Sequence, residues 1–207
     1  ADVEFTEIVE DGIDFGILRL SGNTAASGNT LGIAGLPHRF PTAGDIFLFE
    51  DFIGSGPRLS FVTLHELGHA IGLTHAQDDI FPDEFEGAEF TLMVPSFASV
   101  FFTTANSADF YPTTFGYADI LALRHLYGAD EDTNSGNDTY TYDLGSRYWE
   151  TIFDLGGTDT IEITGSGSAV SIDLTPDSNN LNGSFIDVGT TVTYFRGFTE
   201  VGSRSDT

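Results

Sequence analysis

The sequence predicts an α+β protein of 207 residues, in which a mixed strand-and-helix part is followed by an all-β part. Three observations predict it. Period-two alternation of apolar and polar residues recurs through the first 60 residues. Two segments, Leu64–Leu73 and Tyr117–Tyr127, carry helical patterning. After Gly128 that patterning stops, and Thr, Ser, Gly, Asn and Asp are interleaved with short β-forming runs.

In chain order, Val3-Glu4-Phe5-Thr6-Glu7-Ile8 and Ile13–Leu20 alternate as half-buried strands do, with Gly12 between them. Ser21–Thr30 is a Gly/Asn/Ser/Thr loop, and Leu31–Gly35 and Asp45–Phe49 are two further short strands, so the stretch up to residue 60 reads as strands and turns. The first helix is ended by Gly72 and the residues after it. Residues 76–90 form an acidic loop. The second helix has Ile120, Leu121, Leu123 and Leu126 as its apolar positions and stops at Gly128, the residue type that best ends a helix. Ala129–Asn137 reads as a linker. Tyr140–Tyr142, Thr160–Ile163, Ala169–Ile172 and Val192–Phe195 are the strands of a second domain, giving divisions at 1–131 and 132–207.

Composition narrows the function classes. There are 32 acidic side chains against 7 basic ones, all arginine, for a formal charge of −25. Nucleic-acid binding is excluded, because phosphates are held by clustered Lys and Arg. A hydrophobic share of 40% and a mean hydropathy near zero exclude wholesale disorder. No apolar run approaches the roughly 18–20 residues of a membrane span. Cysteine is absent, which excludes a disulfide framework. Ala1 opens the chain and the sole methionine is Met93, so the sequence reads as a processed or excerpted product.

One stretch carries chemistry: His65-Glu66-Leu67-Gly68-His69-Ala70-Ile71-Gly72-Leu73-Thr74-His75. Histidines four apart lie one turn apart on one helical face, so both imidazoles can ligate one ion. Glu66 neighbours the first of them and can reach a water at that ion. Gly72 lets the chain leave the helix sharply and bring His75 back as a third ligand. Three histidines with one open position describe catalytic rather than structural zinc. A lone H-E-x-x-H is a frequent accident on helices, whereas the glycine and third histidine at fixed spacing make the longer pattern specific. His38 and His125 have no ligand spacing and read as structural or surface residues. Trp149 reads as packing. Asp78, Asp79, Asp83, Glu84, Glu86 and Glu89 read as a solvated loop, the alternatives being a rim for basic substrates or a calcium site.

At this motif the sequence resembles the metzincin zinc endopeptidases. Thr91-Leu92-Met93-Val94-Pro95-Ser96-Phe97 is similar to the metzincin Met-turn, whose methionine lies beneath the zinc. Gly116–Gly128 resembles the closing helix of matrixins and serralysins. Phe5–Ile8, Leu31–Pro37 and Gly44–Ile46 resemble the sheet strands before the active-site helix. The resemblance implies a catalytic domain of mostly antiparallel twisted sheet with an active-site helix and a closing helix. It implies a strand at Gly32, Ile33, Ala34 and Gly35 that pairs with extended substrate, and Pro95 and Phe97 as pocket residues. The second half looks like the start of the serralysin C-terminal domain, an all-β calcium-binding sandwich or roll. Asp154-Leu155-Gly156-Gly157-Thr158-Asp159 is similar to its calcium turn, and two carboxylates with glycine carbonyls are hard oxygen donors suited to Ca²⁺. By the resemblance, Asp154, Gly156, Gly157 and Asp159 would be joined by backbone oxygens near Ser135, Asn137 and Thr139. The same residues also fit a plain Gly-Gly hairpin turn with exposed aspartates.

Departures from the family matter too. Pro95 stands where serralysins carry a tyrosine, so no tyrosine ligand is expected; Ala76 replaces the serralysin proline or the matrixin serine. The chain begins where the family has finished its first strand and helix A, so one sheet face is expected to be uncovered. Together the residues and the resemblance predict a secreted, extracellular, monomeric zinc endopeptidase. It would use Zn²⁺ and Ca²⁺ and act on protein or peptide substrates, with His65, His69 and His75 as zinc ligands and Glu66 as general base. The competing reading is an inactive, calcium-stabilised binding or adhesion module. A non-proteolytic zinc hydrolase is a weaker rival, because it gives Met93 no purpose.

Overall fold

The computed structural model describes residues 18–22, 30–40, 42–49, 56–77, 90–94, 111–144, 150–165, 171–173, 185–187 and 199–202. The strand expected at Val3–Ile8, the acidic residues 78–89, Pro95, Phe97, Trp149 and the strand expected at Val192–Phe195 lie outside these residues.

The first half contains β1 (Arg19–Gly22), β2 (Gly32–Ala34), β3 (Asp45–Leu48), α1 (Pro57–Ala70) and α2 (Tyr117–Tyr127). β3 is central: β1 pairs with it in parallel and β2 antiparallel. The described sheet is therefore mixed, not mostly antiparallel as the resemblance implied. The physical reason is connectivity. β2 runs into β3 through a short link at 35–44 and must reverse, whereas β1, with β2 between it and β3 in the chain, is bound by no such link and pairs with β3 in parallel. Arg19 and Asp45 are register partners, and their side chains form a two-pronged ion pair of 2.6 and 2.8 Å that reinforces the β1–β3 register.

Ile46 and Leu48 leave β3 on one face and pack with Phe61, Val62 and Ala70 of α1 and with Leu92, Val94 and Tyr111. The Phe61 and Tyr111 rings stack at 5.3 Å. The helix begins two turns before the segment that patterning marks. Pro57 occupies its first turn, where a missing N–H costs nothing and a fixed φ suits the helix. It also ends at Ala70, not Leu73. The strand-and-turn reading of residues up to 60 is corrected accordingly at Pro57–Ser60. α2 has the predicted bounds, with Gly128 at its C-cap at φ +87°. A smaller core of Ile71, Leu73, Met93 and Leu123 joins the end of α1 to α2.

The second half contains β4 (Thr139–Asp143), β5 (Glu150–Ile152), β6 (Thr160–Thr164), β7 (Ser171–Asp173), β8 (Phe185–Asp187) and β9 (Thr199–Gly202). β4 and β6 pair in parallel, and β5-β9-β8-β7 form a second small sheet. Tyr142 of β4 is buried, packed by Tyr140, Leu144, Ile152, Ile161 and Ile163. Sequence patterning does not mark β5, β8 and β9; at three or four residues each they are too short to show alternation. The two halves touch. Thr151 donates its N–H to Thr114 Oγ1 at 2.8 Å, and the Arg124 guanidinium lies 5.3 Å over the Phe153 ring. Among the described residues, no helix is long and apolar enough to cross a membrane.

Candidate metal centre

The buried stripe of α1 runs from Phe61 and Val62 to His65 and Glu66, and the next turn presents His69. Leaving the helix requires the backbone to reverse. Gly72 does so at φ +106°, donating its N–H to His69 O at 3.0 Å, while Leu73 N–H bonds Gly68 O at 2.8 Å. This is a Schellman closure, and its left-handed residue has to be glycine. Tyr127 of α2 supports it from outside by donating its hydroxyl to Ile71 O at 2.6 Å. The chain then returns along the Met93 segment, where Ala76 N–H bonds Met93 O at 2.9 Å, and His75 comes back over the helix. Gly72→Ala is expected to cost about 2 kcal/mol through strain at this φ. It should also weaken zinc binding, read by calorimetric titration of the metal-free protein.

The three imidazoles converge. His75 Nε2 lies 3.2 Å from His69 Nε2 and 3.4 Å from His65 Nε2. Zinc–nitrogen bonds of about 2.05 Å at a tetrahedral angle place two ligand nitrogens roughly 3.3 Å apart. The other ring nitrogens are occupied: His65 Nδ1 donates to Leu92 O at 2.7 Å and His69 Nδ1 to Leu73 O at 2.8 Å. A carbonyl can only accept, so each Nδ1 carries the proton and each Nε2 turns a lone pair inward. Lone pairs held this close repel one another unless a cation lies among them. Burial first, then the neighbouring histidines, lowers the His65 pKa to about 4, which keeps that lone pair available at neutral pH. The donor set and spacing therefore fit Zn²⁺.

Glu66 is 5% exposed, and burial raises its pKa to about 7. That value suits a group that takes up and returns a proton near neutrality. Met93 is 1% exposed, its sulfur flush against α1 at Gly68.

Sequence reasoning missed Asp119. It is 1% exposed on α2, and its carboxylate accepts from Thr91 Oγ1 (2.5 Å), Leu92 N–H (2.7 Å) and Gly116 N–H (3.0 Å). Leu92 in turn accepts from His65, so α2 is tied to a histidine of the centre through the Leu92 backbone. Asp at the third position of a helix after Gly116 is a capping signal that could have marked it.

Gly32, Ile33, Ala34 and Gly35 lie on or beside β2, the edge of the described first sheet, with Gly32 beside Glu66. In the second half, the 135–139 and 154–159 segments meet. Thr158 N–H bonds Asn137 Oδ1 at 2.9 Å and Asp138 N–H bonds Asp159 Oδ1 at 3.1 Å. Asp154 accepts from the Tyr140 hydroxyl at 2.6 Å and from Gly156 N–H at 2.9 Å. Asp138, Asp154 and Asp159 bring carboxylate oxygens within 4.8 Å of one another. Nothing in the sequence pattern singles out Asp138. Its Oδ2 is buried without a hydrogen-bond partner among the described residues.

Two helical histidines, a third returning after the helix and an adjacent buried glutamate make a candidate metal centre with the H-E-x-x-H spacing. No protein-family model matches the chain. Among curated proteins, it is 28% identical to serralysin of Proteus mirabilis over 159 aligned positions, covering 66% of this chain and 30% of that protein. It is 27% identical to serralysin C of Dickeya chrysanthemi, covering 60% and 29%. With serralysin B of the same organism it shares 28% identity over 91% of this chain and 44% of that protein. The chain thus spans less than half the length of these relatives. These distant likenesses to serralysins are consistent with the cluster of His65, His69 and His75.

Proposed function

We propose that this chain is the catalytic part of a secreted zinc endopeptidase, acting as a monomer on internal bonds of proteins and peptides. The observation that carries the reading is the convergence of three imidazole nitrogens at zinc-ligand spacing beside a buried glutamate. His65, His69 and His75 would hold the metal, and Zn²⁺ bound there supplies a Lewis acid that polarises the scissile carbonyl and acidifies water. Glu66 takes the proton of the attacking water and returns it to the leaving nitrogen. The β2 edge at Gly32–Gly35 holds the substrate extended by strand pairing, and Pro95 and Phe97 line the adjoining pocket. Secretion and protein substrates are supported by the similarity to serralysins.

The 132–207 part is proposed as a calcium-binding β domain. Support comes from the orphaned, buried Asp138 Oδ2 beside Asp154 and Asp159, since a buried carboxylate oxygen without a donor is stabilised by a cation. The ligands would be these carboxylates with oxygens of Ser135, Asn137, Thr139, Gly156 and Gly157. Calcium at 100 times its dissociation constant is expected to add about 2.7 kcal/mol of stability. Asp138→Asn should shrink that gain, read from thermal unfolding with and without calcium.

The peptidase reading is tested by elemental analysis beside casein cleavage. About one equivalent of zinc with cleavage abolished by a chelator is the expected result. Calcium alone with no cleavage would instead establish the inactive binding module.

A further inference from the structure

Among the described residues, none donates a hydrogen bond to the buried Glu66 carboxylate. The surface it packs on is β2. Ile33 turns outward and is 53% exposed, whereas its neighbour Ala34 packs on the α1 side. Gly32, one residue the other way, shares that inner face by strand alternation. A Cβ at residue 32 would lie 2.6 Å from Glu66 Oε1, 2.7 Å from its Cγ and 2.8 Å from its Cδ. All three are shorter than van der Waals contact, and the glutamate stem fills the space where a side chain would stand.

We propose that Gly32 is the positioning residue of the Glu66 carboxylate: its missing side chain is the slot in which the carboxylate lies. The inference rests on the peptidase reading of Glu66 and adds a steric requirement on the neighbouring strand. Any side chain at residue 32 displaces the carboxylate, which has no hydrogen bond among the described residues to draw it back. Small misplacements of a catalytic group are costly in rate while leaving substrate binding intact.

Two measurements on the Gly32→Ala protein test it. Its kcat should fall at least about tenfold, by more than KM rises, with zinc content unchanged, as for a group needed in the transition state. Unchanged kcat overturns the proposal. The second is a double-mutant cycle on thermal unfolding. In the presence of Glu66, Gly32→Ala should lower the midpoint by about 3–6 °C. In a Glu66→Ala background it should not lower it, because the obstructing atoms are gone. An equal penalty in both backgrounds overturns the proposal. If Gly32→Ala does not fold, recovery of folding in the Glu66→Ala background supports the contact, and failure to recover overturns it. The cycle needs no activity, so a wild type that cleaves nothing while the coupling persists counts against the peptidase reading alone.

Discussion

Glu66→Ala is expected to retain zinc near one equivalent while losing about 10²–10⁴ in kcat. The three imidazoles draw nothing from this carboxylate: His65 and His69 are oriented by the carbonyls of Leu92 and Leu73. The variant should also unfold no earlier than wild type when both are metal-free. Burial alone raises the Glu66 pKa, to about 7, so its charge is a burden on the fold rather than a support. Undiminished cleavage by this variant would remove Glu66 from the chemistry. Loss of zinc along with activity would make it structural.

The second large effect is expected at Asp119. Its replacement by alanine leaves Thr91 Oγ1 and the N–H groups of Leu92 and Gly116 without their acceptor in the core. An unsatisfied buried donor costs about 1–3 kcal/mol, so a loss of about 3 kcal/mol, or roughly 6–12 °C in Tm, is expected. Zinc affinity should fall about 10–100-fold, because the Leu92 backbone that orients His65 loses its anchor. Calorimetric titration and thermal unfolding measure the two effects.

The same residue gives a pH signature. Burial, outweighing three hydrogen bonds, raises the Asp119 pKa from 3.8 to about 6. The folded state therefore holds a proton that the unfolded chain has released between these values. That stabilisation is fully present below pH 3.8 and is lost as pH rises through about 6. The gap between the two values corresponds to about 3 kcal/mol. Denaturant unfolding of metal-free wild type and Asp119→Asn at pH 4 and pH 7 isolates it. Wild type should lose about 2 kcal/mol more than the variant between the two pH values, and equal losses would refute the assignment.

Much of the metal centre is legible in the sequence because it is local. Helical periodicity places His65 and His69 on one face, and Gly72 and His75 both follow within ten residues of His65. The ends of α1 are less legible. Its first two turns lack a motif, and Pro57 reads as a break until its place at the first turn is known. Sheet direction is likewise hidden, since the β1–β3 pairing joins residues 26 positions apart and no local pattern encodes it. In the second half, Asp154 and Asp159 are visible as a turn, whereas Asp138 joins them only because β4 and β6 pair in parallel.

By itself, then, the sequence determined the donor types, their spacing around one helical turn, and the α+β character with its change of texture after Gly128. These depend on short-range geometry, which residue order carries directly. Tertiary structure alone decided how the centre is held: Asp119 reaching Leu92, Tyr127 reaching Ile71, and Gly32 leaving room for Glu66. Each of these joins residues distant in the chain, the nearest pair being 27 positions apart. Such contacts exist only once separate elements have buried their apolar faces against one another.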